Sequence, residues 1–94
     1  MKAKVLFLCT HNSARSQMAE GLLRHMGGDK YMVTSAGSQP RQVHPDAVDV
    51  MSKLGIDISH QHAKHLDEIK GQAFDVAITV CDRVREECMI YDFC

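Results

Sequence analysis

Apolar and polar positions fall along this chain in blocks of two periods. Lys4 to Leu8 runs almost wholly apolar into Cys9, the pattern of a central parallel strand covered on both faces. From about Ala14 to Met26 the apolar residues return at helical spacing. Met18, Ala19, Leu22, Leu23 and Met26 share one face, and Gly27-Gly28 ends the run. Tyr31 to Ser35 reads as a second strand, followed by a loop from Gly37 to Val43. His44-Pro45-Asp46 opens a second helix, with proline in the first turn and an acid placed favourably for the helix dipole. Ala47, Val48, Met51 and Leu54 form its apolar stripe, and Gly55 closes it. Ile56-Asp57-Ile58 leads into a polar loop and a short helical turn around Leu66 to Ile69. Gly71-Gln72 breaks the chain, and Phe74 to Val80 makes a third strand. Asp82 to about Ile90 reads as helix or loop. Strands alternating with helices imply right-handed crossovers and an α/β fold, three layers deep, with a short parallel sheet flanked by helices.

Composition narrows the picture. The chain has 94 residues, enough for a single domain over 1–94 with little margin for a core. Trp is absent, so that core is aliphatic and Met-filled. The net charge of −1 speaks against a nucleic-acid or membrane-surface partner. Residues 1–50 carry six Lys/Arg and four Asp/Glu, and residues 51–94 carry five and eight. The N-terminal half is therefore mildly positive. Val5 to Leu8 is too short for the apolar region of a signal peptide, and no stretch approaches a membrane span. A cytoplasmic protein is expected. Its four cysteines should rest reduced, and any disulfide should be catalytic rather than structural.

Chemistry concentrates at the first strand's end. Cys9-Thr10-His11-Asn12-Ser13-Ala14-Arg15-Ser16 joins an apolar strand to a helix through a tight polar loop. A thiol attacks as thiolate, and a helix N-terminus and a fixed cation favour that form. Successive loop N–H groups and a helix start make an anion site. Arg15 adds a planar fork of donors suited to a tetrahedral oxyanion such as phosphate or arsenate. Ser16 sits where its hydroxyl can hydrogen-bond the thiolate, and Asn12 is a residue type that tolerates positive φ. Glu20 belongs either to this polar cluster or to solvated surface. His11 lies inside the loop, which already holds N–H groups and Arg15 and does not need it for catalysis.

Two further cysteines bear on the same edge. Cys81 follows a buried strand and should emerge at the carboxyl end of the sheet, as Cys9 does. Cys88 comes seven residues later. On a continuous helix that spacing is roughly 10 Å of rise, beyond the roughly 7 Å Cα separation that a disulfide spans. A Cys81–Cys88 disulfide therefore requires the segment to unwind. His60, His62 and His65 are close enough to suggest a metal, but a short polar loop explains them, and no metal is expected.

The loop Cys9 to Ser16 resembles the signature loop of the low-molecular-weight tyrosine phosphatase superfamily. Ser35-Ala36-Gly37 resembles its second short motif. Cys81-Asp82-Arg83 through Cys88 resembles the paired redox cysteines of its thioredoxin-coupled arsenate reductase branch. The resemblance implies the fold of that superfamily, with Asn12 holding the loop's shape and Ser35 holding Asn12. It implies reduction of arsenate through a Cys9 adduct, a Cys9–Cys81 disulfide and then a Cys81–Cys88 disulfide, recycled by thioredoxin or glutaredoxin. Such a relay uses three thiols and no cofactor. The resemblance runs the length of the chain but covers only about the first two-thirds of a typical member. The family's fourth strand, its loop with an Asp-Pro general acid and its final helix are not in this sequence. Met89 stands where the family usually has proline, and Cys94 matches no family role. One sheet edge is expected to lie open, which invites pairing with a second copy. Two alternatives accompany this reading: a tyrosine phosphatase, which would need a general acid, and an oxyanion-binding domain that does not turn over.

Overall fold

The computed structural model describes residues 2–80. Its elements are β1 (Ala3–Cys9), α1 (Arg15–Gly27), β2 (Tyr31–Gly37), α2 (Pro45–Lys53), a short 3₁₀ turn (Leu66–Ile69) and β3 (Val76–Thr79). The strands form one parallel sheet in the order β2-β1-β3. The elements expected within residues 2–80 are all present, with β2 running two residues further, to Gly37, and β3 trimmed at both ends. Residue 81 onward lies outside the described residues, and with it the helix or loop expected from Asp82 to Ile90.

Parallel pairing explains the apolar run of β1. Val5 to Cys9 are all buried because both faces of the central strand are covered. Side chains alternate between the faces. Leu6 and Leu8 point to one side and pack with Ala36, Leu66 and Ile69, so the 3₁₀ turn roofs that face. Each such fully buried leucine contributes about 1.5–3 kcal/mol. A second cluster joins Ala47 and Met51 of α2 to Ile56 and Ile58, with Ala14 and Met18 against it.

Both helical segments after β2 start on histidine caps. His44 is extended, and its Nδ1 accepts from the Asp46 N–H at 3.0 Å. Pro45 then supplies the first-turn residue that needs no donor. His65 repeats the device: its Nδ1 accepts from the Asp67 N–H at 3.0 Å, and its own N–H donates to Glu68 at 2.8 Å. Among the described residues no three His, Cys, Asp or Glu side chains are grouped to hold a metal.

Two expected stripes require correction. Leu54 of the second helical run is 62% exposed, because the helix ends at Lys53 and the chain turns away at Gly55. On α1 the apolar stripe faces the core only in part: Met18 packs against the second cluster, but Leu22 and Met26 are 38% and 78% exposed. The buried residues are Ser16, Gln17, Glu20 and Gly21. Gly21 is small for a reason. A Cβ there would lie 2.5 Å from Ile58 Cγ2, so glycine lets the 56–58 segment press against the helix. The polar residues are buried because they satisfy one another beside β1.

Candidate functional site

Strand β1 delivers Cys9 to the carboxyl end of the sheet's central strand, where it is 6% exposed. The chain then turns through residues 10–14 and enters α1 at Arg15. Asn12 takes φ +48°, the left-handed conformation that reverses the loop. The Arg15 guanidinium folds back over the thiol, with Nη2 3.9 Å from Cys9 Sγ, a long contact of the kind sulfur accepts.

The segment after β2 holds the loop from outside. The N–H groups of Gln39, Arg41 and His44 donate to the carbonyls of Thr10, His11 and Ser13 at 2.7, 2.9 and 2.9 Å. Ser13 Oγ donates to the Gln42 carbonyl at 2.8 Å. With these carbonyls engaged by the 39–44 segment, the loop's N–H groups remain. Among the described residues, none from His11 to Gln17 donates to a protein acceptor. A run of backbone donors without protein partners at the edge of a cleft is a site that receives an anion well.

Gly37 closes the arrangement. A Cβ there would stand 2.5 Å from the Cys9 carbonyl, 2.6 Å from that of Thr10 and 3.0 Å from the Asn12 nitrogen. The Gly37 N–H in turn donates to the Lys64 carbonyl at 2.8 Å.

A buried polar network supports the loop from the α1 side. Asn12 and Ser16 have no exposure. Asn12 Oδ1 accepts from the Lys64 backbone N–H at 2.9 Å and from Gln17 Nε2 at 3.0 Å, while its Nδ2 donates to Ser16 Oγ at 2.7 Å. The Lys64 N–H can only donate, which fixes which way the Asn12 amide faces. Gln61 Nε2 donates to Gln17 Oε1 at 2.8 Å, and Gln61 Oε1 receives Arg24 at 3.0 Å. Glu20, 3% exposed, accepts from Ser35 Oγ at 2.6 Å and from Arg24 at 2.8 Å, with Lys64 Nζ at 3.8 Å.

The sequence-predicted residues are mostly brought together, but two partnerships differ. Ser35 does not hold Asn12; its hydroxyl is given to Glu20, which the side chain reaches first across the β2–α1 contact. Among the described residues no hydrogen bond joins Ser16 to the thiol; the Ser16 hydroxyl oxygen accepts from Asn12 Nδ2. Glu20 belongs to the cluster rather than to the solvated surface. Cys81 and Cys88 lie outside the described residues. Gln17, Gln61 and Lys64 were missed as supports, since polar residues of a helix or loop read as surface when their partners lie 44 or more positions away. Arg41 and His44 were missed as walls of the cleft above Cys9, a space of about 510 Å³.

The network yields a test. Glu20→Gln keeps the shape but sets an amide donor against Arg24 and removes the charge facing Lys64. A stability loss of about 2–3 kcal/mol is expected in urea denaturation, with Arg24 partly exposed and so weakening the penalty. A loss below about 0.5 kcal/mol would show that Glu20 does not anchor this face.

No described helix is long and apolar enough to cross a membrane. A glutaredoxin arsenate reductase of Synechocystis is 44% identical over 78 residues, which is 83% of this chain and 60% of that protein. A solved arsenate reductase in a phosphate-binding state superposes with a TM-score of 0.80 at 44% identity, over 86% of this chain and 61% of that one. The thioredoxin-dependent arsenate reductase of Corynebacterium glutamicum gives 0.77 at 40% identity, over 83% of this chain and 40% of its own. The chain spans about three-fifths of the length of the first curated relatives, 60% and 63%. Residues 4–92 match the family model described as low molecular weight phosphotyrosine protein phosphatase. Strand, thiol loop and arginine-headed helix thus have their counterpart in a known lineage, and the chain belongs to the low molecular weight phosphotyrosine protein phosphatase family.

Proposed function

We propose that this chain reduces arsenate to arsenite by a thiol relay. The observation that carries the proposal is the setting of Cys9: a thiol beneath a guanidinium, in a loop whose N–H groups have no protein acceptor among the described residues. That setting accepts a tetrahedral oxyanion and presents sulfur to its central atom. Likeness to proteins named as glutaredoxin and thioredoxin-dependent arsenate reductases supports arsenate as substrate and a dithiol protein as reductant.

In the proposed reaction residues 10–16 cradle arsenate and Arg15 neutralises its charge. Cys9 thiolate displaces one arsenate oxygen, which leaves as water after protonation, and an S–As bond forms. Cys81 thiolate attacks Cys9 sulfur. An S–S bond forms, the S–As bond breaks, and its electron pair goes to arsenic, which departs as arsenite. Cys88 thiolate then attacks Cys81 sulfur and frees Cys9. The resulting Cys81–Cys88 disulfide takes two electrons from a thioredoxin-type dithiol. Val80, the residue before Cys81 in the sequence, donates its N–H to the Leu8 carbonyl at 2.8 Å, beside the end of β1. Three thiols that start reduced suit the cytoplasm.

The test is arsenate-dependent NADPH oxidation by the full chain, once with thioredoxin and thioredoxin reductase and once with glutathione, glutaredoxin and glutathione reductase. Turnover is expected with one of the two systems. A folded chain that consumes no NADPH in either system, yet hydrolyses an aryl phosphate, would overturn the reductase reading in favour of a phosphatase.

A further inference from the structure

The thiol and Arg15 are not the whole of the cleft. Arg41 lines it too, from the 39–44 segment that runs beside the loop, as do His11 and His44. Among the described residues no Asp or Glu lines this cleft. Arg41 is placed by its backbone: its N–H donates to the His11 carbonyl at 2.9 Å, between the Gln39–Thr10 and His44–Ser13 bonds on either side. The segment cannot shift without breaking several bonds to the loop itself. The Arg41 side chain is exposed, and among the described residues it makes no hydrogen bond or ion pair. Every other arginine of the described residues is engaged: Arg15 with Cys9, and Arg24 with Glu20, Gln61 and the Val33 carbonyl.

We propose that Arg41 is a second anion-binding guanidinium of the Cys9 cleft, one that captures a dianionic oxyanion at the mouth and sets affinity for it. This rests on the oxyanion reading of the site given above. The division of labour follows from placement. Arg15 lies over the sulfur, where charge changes during reaction. Arg41 stands on the rim with its charge uncommitted, where it raises the local concentration of anions before they seat. Its long side chain spans from an anchored backbone into the cleft, and its fork pairs with two oxygens of a tetrahedral anion. A rim charge facing solvent acts through a screened field, so its contribution falls as salt rises.

Inorganic phosphate provides the test, because it fills an oxyanion site without being reduced. Cys9 is alkylated with iodoacetamide at increasing phosphate, and its labelling is read peptide by peptide so that Cys81, Cys88 and Cys94 do not interfere. Wild type, Arg41→Gln and Arg41→Lys are compared at low and high salt. Half-protection of Cys9 is expected to need about fivefold more phosphate in Arg41→Gln at low salt, and Arg41→Lys should recover most of the loss. At high salt the gap should narrow to less than about twofold. A wild type protected by phosphate, with an Arg41→Gln curve that overlays it at low salt, overturns the role of Arg41 alone. A wild type that phosphate does not protect overturns the oxyanion reading and this proposal together. An Arg41→Gln defect that does not shrink with salt, or that Arg41→Lys does not repair, also overturns it, since it points to altered loop packing.

Discussion

Serine at Cys9, Cys81 or Cys88 is expected to lower arsenate-dependent NADPH oxidation at least about thousandfold, because each thiol of the proposed relay is a reactant and not a support. The three variants should nevertheless stop at different places. Cys9→Ser leaves arsenate bound but forms no S–As bond, so no arsenite appears. Cys81→Ser builds the adduct and has no thiol to break it, and again no arsenite appears. Cys88→Ser reaches the Cys9–Cys81 disulfide and stalls, releasing one arsenite per chain. Rapid quenching, arsenite counting and mass spectrometry of the cysteine peptides separate these outcomes. Repeated turnover in Cys88→Ser would remove that residue from the relay. Full activity in both Cys81→Ser and Cys88→Ser would replace the relay with chemistry at Cys9 alone.

Gly37→Ala is expected to be the most damaging change outside the thiols. The added methyl would meet the carbonyls of Cys9 and Thr10 at 2.5 and 2.6 Å and the Asn12 nitrogen at 3.0 Å. All three are backbone atoms, so no rotamer change relieves the clash. The backbone that must move is the anion loop, and its carbonyls are tied to Gln39, Arg41 and His44. Overpacking of this kind costs about 1–3 kcal/mol, and reacting groups displaced by about 1 Å lose about a hundredfold in rate. Urea denaturation and phosphate protection of Cys9 measure the two effects separately. Full protection in Gly37→Ala would show that the loop tolerates displacement.

Legibility in the sequence followed the range of the interaction. The thiol loop was readable because its parts are contiguous: apolar strand, cysteine, polar turn, arginine. The left-handed conformation at Asn12 and the start of α2 at His44-Pro45 were readable for the same reason, since turn and cap chemistry acts over a few residues. The buried face of α1 was not. Periodicity assigns apolar residues to the core, and here Gln17 and Glu20 took that place while Leu22 and Met26 faced out. What makes the inversion affordable is hydrogen bonding to Gln61, Arg24 and Ser35 and an ion pair with Lys64. Three of these four lie outside α1, and a single sequence does not say which distant residues will meet. Ser35 and Ser16 were correctly placed in the cluster but given the wrong partners, because a hydroxyl's choice depends on distances of a few tenths of an ångström.

The pairing of β1 has a consequence for how the chain comes into being. Val5 pairs with Val33 on one side and with Val76 on the other. β1, synthesised before its two partners, therefore waits for β3 before both its edges are bonded. The loop after it waits as well, since its shape depends on Gly37 and on the backbone of Lys64. Contacts of such long sequence separation form late in folding. Until β3 has emerged Cys9 is thus a thiol on a flexible chain, and it acquires its guanidinium and its ring of amides together with the strands that frame it. Chemical selectivity at this cysteine is a property of the finished fold, and the nascent chain depends on the reducing power around it rather than on its own structure.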